Sequence, residues 1–139
     1  MGKRLVVVVT VVVCMLGMGI SGFGAIKIGI TQIVDHPALN SIYDGVIKAL
    51  EDAGYKIGKD VVIDRQNAQG NMQNAVAIAR KFASDKVDYV VAIATLSAQA
   101  CAQVITDRPV VFSSVTDPVG AGLIKKLGKN TSNVVGISD

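Results

Sequence analysis

The chain has 139 residues, enough for one compact domain, and its 50% hydrophobic and 18% charged content excludes a disordered polypeptide. Of its 14 Lys and Arg residues, Lys3 and Arg4 precede an apolar stretch, which leaves 12 basic against 11 acidic residues in the remainder. That balance leaves no concentrated basic surface for nucleic acid, and the small cluster of Lys125, Lys126 and Lys129 reads as a solvated face.

Residues 1–25 form the first unit. Lys3 and Arg4 lead into an apolar run from Leu5 to Leu16, followed by small residues that include Gly22, Gly24 and Ala25. This is the pattern of a signal peptide, and its length also suits an uncleaved apolar membrane-anchor helix. In either case the positive residues stay inside, and the domain is expected outside the cytoplasm. Cys14 lies within this run, but Val13 stands where a lipidation signal takes a small residue.

Residues 26–139 form the second unit. Residues 26–34 (IKIGITQIV) read as a buried strand, and Pro37 suits the first turn of a helix. Ile42, Val46, Leu50 and Ala53 recur at helical spacing, and Gly54 is placed to end that helix. Residues 60–64 (DVVID) give a second strand. Asn71 is a cap for a second helix with Met72, Ala75, Val76, Ala79, Phe82 and Ala83 on one face. Residues 88–94 (DYVVAIA) give a third strand, and Ser97 opens a helix to about Ile105. Residues 109–112 (PVVF) make a short fourth strand. Asp117 and Pro118 then form a cap and first-turn pair for a short helix over 119–127. Residues 134–137 (VVGI) give a fifth strand. Alternating strands and helices predict an α/β fold: a parallel five-stranded sheet with helices on both faces.

In such a sheet, ligands bind beyond the carboxyl ends of the strands. Four turns lie there, at residues 32–37, 67–71, 94–99 and 113–118, and they are rich in hydroxyl, amide and carboxylate groups. Helix N-termini at these turns suit an anionic group, with hydroxyls from Thr95 and Ser97, while Asp117 is placed to accept from an ammonium. A site with both characters suits a zwitterion such as an amino acid. The same residue types also cap helices in any α/β protein, and His36, the only histidine, sits in a turn before Pro37. No GxSxG, HExxH or phosphate-loop motif is present, so neither catalytic residues nor metal ligands nor a cofactor are expected.

The segments IVDHPALNSIYDGVIKALEDAGY, NAQGN, IATLSAQA, VFSSVTDPVGAGL and NVVGISD together resemble the ABC-transporter substrate-binding proteins of tryptophan and tyrosine uptake. The resemblance covers almost all of residues 27–139. It implies a lobe of the periplasmic-binding-protein type I fold and an extracytoplasmic receptor that hands a small solute, often an aromatic amino acid, to a membrane permease. Carried over by position, it implies ligand contacts from Asp35, His36, Thr95, Ser97, Ala98, Thr116 and Asp117. Members of that family have a second α/β lobe. This chain is therefore expected to be the N-terminal lobe alone, a partial form whose exposed cleft face favours self-association. An extracytoplasmic sensor module tethered by residues 1–25 is the alternative reading.

Overall fold

The first strand, β1 (Ile26–Gln32), is apolar almost throughout because it is the inner strand of a two-sided sheet. Ile26, Ile28 and Ile30 face one layer and Gly29 faces the other, as the period of two requires. The computed structural model describes residues 24–128 and 132–139. The export segment expected at 1–25 therefore lies outside the described residues, except for Gly24 and Ala25.

After β1 come α1 (Pro37–Asp52), β2 (Val61–Asn67), α2 (Met72–Ser84), β3 (Tyr89–Ile93), α3 (Thr95–Val104), β4 (Val110–Ser113) and β5 (Val134–Gly136). The five strands are parallel in the order β2-β1-β3-β4-β5. The chain moves one way across the sheet from β1 to β2 and the other way thereafter. Right-handed crossovers then put α1 on one face and α2 with α3 on the other.

The core divides accordingly. On the first face, Ile28, Ile30, Val61 and Ile93 meet Leu39, Ile42, Val46 and Leu50 of α1. On the second, Val90, Ala92, Val110 and Phe112 meet Ala75, Ala79 and Phe82 of α2 and Ala98 and Cys101 of α3. Phe82 is fully buried, and its ring lies so close to Gly29 that a β-carbon there would sit 2.8 Å from it. Truncating such a ring to Ala costs about 3–5 kcal/mol. The first face is covered only in part. Beside α1 a groove of ≈ 300 Å³ opens, with Ile26, Ile28, Val46, Leu50, Val91 and Val111 in its walls.

The helix boundaries follow from local chemistry. His36 caps α1 through Nδ1, which accepts from the Ala38 N–H at 3.2 Å. Asn71 caps α2 through Oδ1, which accepts from Gln73 and Asn74. After α1, Gly54 (φ 92) takes the left-handed position, with bonds from Gly54 N to Glu51 O and Tyr55 N to Leu50 O. Two expectations need correction. The third helix starts at Thr95, not Ser97. Residues 119–127 form no helix. One turn forms from Asp117 and is closed by Gly122 (φ 76), with Gly122 N bonded to Val119 O and Leu123 N to Pro118 O. The Gly120-Ala121-Gly122 run resists helix extension, and Leu123 is instead buried as the apolar anchor of this stop.

Candidate functional site

Strand register brings the four turns to one edge. Gln32 pairs with Asn67 on one side and Ile93 on the other, and Ile93 pairs with Ser113. Neighbouring strand ends thus lie about 4.8 Å apart. The crossover direction reverses between β1 and β3, and a crevice opens where the connections diverge. Asp35 and His36 follow β1, Thr95, Ser97 and Ala98 follow β3, and Thr116 and Asp117 follow β4. Four of the seven sequence candidates therefore lie in turns at this edge, and Thr95, Ser97 and Ala98 lie in the first turn of α3.

Their exposure differs. Asp35, His36, Thr116 and Asp117 are exposed, Thr95 is half-buried, and Ser97 and Ala98 are fully buried. The Ala98 N–H is engaged by Ala94 O at 3.0 Å. Among the described residues, the hydroxyls of Ser97 and Thr31 are buried without a hydrogen-bond partner.

The start of α3 differs from the other two. α1 and α2 have side-chain caps, but Ala94, the residue before α3, supplies none. The first N–H groups of a helix have no partner within it, so α3 presents open donors and the positive end of its dipole at the crevice. Ala94 itself holds φ 75 and ψ 158, a conformation that only glycine adopts without strain. Its N–H donates to Ser113 O at 2.9 Å, which fastens the end of β3 to the end of β4.

Carboxylates flank these donors along the edge. On the β1 side, Asp35 Oδ1 accepts from Asn40 Nδ2 at 2.7 Å. On the β4 side, Asp117 Oδ1 accepts from Gly120 N at 2.8 Å. The arrangement offers hydrogen-bond donors to an anionic group between two acceptors for a cationic one. Among the described residues no group of three His, Cys, Asp or Glu side chains is placed to hold a metal ion.

Asn40 and Arg65 at this edge escaped the sequence reading, and Gln32 was placed in the turn at 32–37 but not singled out. Gln32 is buried, and its Nε2 donates to Val34 O at 3.0 Å and to Asn40 Oδ1 at 2.9 Å. Arg65 Nη2 donates to Gln32 Oε1 at 3.1 Å and to Asn40 Oδ1 at 3.0 Å, and the guanidinium lies 3.9 Å from the Tyr43 ring centre. The available signal was a glutamine inside an apolar strand, because a buried amide demands partners.

Known proteins share this fold. Residues 27–139 match the family model described as ABC transporter substrate binding protein. A tyrosine-binding protein of Clostridioides difficile is 53% identical over 113 residues, covering 81% of this chain and 33% of that protein. Among solved structures, a ligand-free, open substrate-binding protein with adhesive properties from Clostridium difficile superposes with TM-score 0.81 at 51% identity, covering 83% of this chain and 39% of that one. An ABC domain from Streptococcus pneumonia in complex with L-Trp gives TM-score 0.79 at 40% identity, covering 84% and 39%. The chain thus spans about a third of the length of the curated relative and 39% of these solved chains. The match over residues 27–139, the parallel five-stranded sheet and the likeness to substrate-binding structures show that the chain belongs to the ABC transporter substrate-binding protein family.

Proposed function

We propose that the chain binds the α-ammonium and α-carboxylate of an aromatic amino acid at the carboxyl edge of its sheet, as one wall of an extracytoplasmic receptor that serves an ABC permease. The uncapped start of α3 carries this reading. Its open N–H groups, at the crevice between β1 and β3, suit a carboxylate, and Asp35 and Asp117 suit an ammonium. Thr95 and Thr116 add hydroxyls at the rim, and His36 adds an imidazole. Ser97 and Ala98 support the α3 end of the site from beneath, since both are buried. The aromatic preference is supported by one relative named tyrosine-binding and by another solved with L-Trp. Residues 1–25 direct export as a signal peptide or remain as an anchor. The role is binding rather than turnover. Self-association through the exposed edge is part of the same reading.

Calorimetric titration of the chain with L-tyrosine and L-tryptophan tests the proposal. Both are expected to bind weakly, because one wall supplies only part of a two-lobed cleft's contacts, whereas N-acetyl-tyrosine amide, which lacks both charges, should not bind at all. Absence of heat with every amino acid would overturn the reading.

A further inference from the structure

The side chains behind Asp35 form a chain of oriented amides. Asn40 stands between a cation and an anion: its Oδ1 accepts from Arg65 Nη2, and its Nδ2 donates to Asp35 Oδ1. Reversing the amide would set N–H groups against the guanidinium and a carbonyl against the carboxylate. Arg65 therefore fixes which way Asn40 points. It fixes Gln32 in the same way, because Gln32 Oε1 accepts from Arg65 and Nε2 is left to bond Val34 O and Asn40 Oδ1. Gln32 is 2% exposed, so no water can replace a lost partner cheaply. The Arg65 guanidinium itself lies over the Tyr43 ring of α1. The network joins β2, β1 and α1 and ends on the turn that carries Asp35 and His36.

We infer that Arg65 is a positioning residue for the ligand site. Acting through Gln32 and Asn40, it sets the direction of the Asp35 carboxylate and the path of residues 33–36 without itself touching the ligand. The inference rests on the amino-acid reading of the edge and deepens it. Lysine keeps the charge but not the planar fork, so Arg65→Lys should restore the network only in part.

The test compares the full chain with Arg65→Met and Arg65→Lys by two readouts. The first is the side-chain amide NMR signals of Gln32 and Asn40 without ligand; in the wild type these should be resolved and slow to exchange. The second is the affinity for L-tyrosine by calorimetry. Arg65→Met is expected to lose the protected amide signals and to weaken binding about tenfold, the scale of one charge-assisted hydrogen bond, with Arg65→Lys intermediate. Binding by Arg65→Met within twofold of wild type, or unchanged amide signals, would overturn the inference. If the wild type binds no amino acid, the reading of the edge fails and the ligand-positioning role falls with it; the amide signals then decide only whether Arg65 orients Gln32 and Asn40, their persistence in Arg65→Met refuting that and their loss upholding it. Should Arg65→Met not fold, the same criteria apply to Arg65→Lys.

Discussion

Gly120 lies where a β-carbon would fall 2.2 Å from one carboxylate oxygen of Asp117, while its own N–H donates to the other at 2.8 Å. The aspartate thus has its direction set by a residue without a side chain. Gly120→Ala should force the Asp117 carboxylate away, break the bond and destabilise the chain by about 1–2 kcal/mol, the range of a lost cap. Asp117→Ala should cost a similar amount, and the double variant should cost little more than either single one. Urea unfolding of the three variants measures this, and additive losses would contradict the coupling.

Ala94 gives a prediction of opposite sign. Its φ of 75 and ψ of 158 place an alanine where glycine is at ease. Ala94→Gly should raise stability by about 1 kcal/mol, because released strain exceeds the added freedom of the unfolded chain. Ala94→Val should lower it. A lower urea midpoint for the glycine variant would show that the strain is absent.

Cys101 is fully buried, and burial pushes its thiol up to about 12. The thiol is therefore neutral and shielded at pH 8. A disulfide exchange reagent should modify it only as fast as the native structure opens, with a rate that rises in urea. Rapid modification of the native chain at Cys101 would contradict this burial. The measurement is cleanest in a Cys14→Ser background.

Asp64 gives a pH dependence. Burial raises its carboxyl, but hydrogen bonds from Lys81 and Gln66 and the Lys81 charge outweigh that and hold it below the ordinary 3.8. Its folded value is thus lower than its unfolded one. Its contribution is fully present above pH 4 and is lost as the pH falls through the folded value. Lys81 also pairs with Asp85 at 2.7 Å, and all three side chains are partly exposed, which limits the effect to under about 1 kcal/mol. Asp64→Asn should flatten the stability curve below pH 4 and change it little between pH 7 and 9. An equally steep acid limb in that variant would exclude this role.

The sequence displays most of the fold because the fold depends on local signals. Apolar runs such as IKIGITQIV and DYVVAIA have one stable use, as strands covered on both sides. Asn71 and Gly54 act where their side-chain chemistry and backbone freedom place them. Asp117 and Pro118 suit the start of a helix over 119–127, but two glycines follow at once, and a stop at Gly122 prevails over the start signal. At the edge, the turns could be placed from topology alone. The network behind Asp35 could not. Arg65 is 33 positions from Gln32 and 25 from Asn40, and only strand register brings them together.

Among the described residues α1 is the one helix on the first face, and this has a mechanical consequence. α1 has no fully buried side chain, whereas α2 and α3 each bury four. A displacement of α1 disturbs half-covered contacts along an open groove; a displacement of α3 disrupts close packing against two strands and a neighbouring helix. The edge is therefore compliant on the β1 side and stiff on the β3 side. In the proposed site the α3 end is therefore the stiff wall, and the Asp35 and His36 turn owes its position to the Arg65 network rather than to the packing of α1.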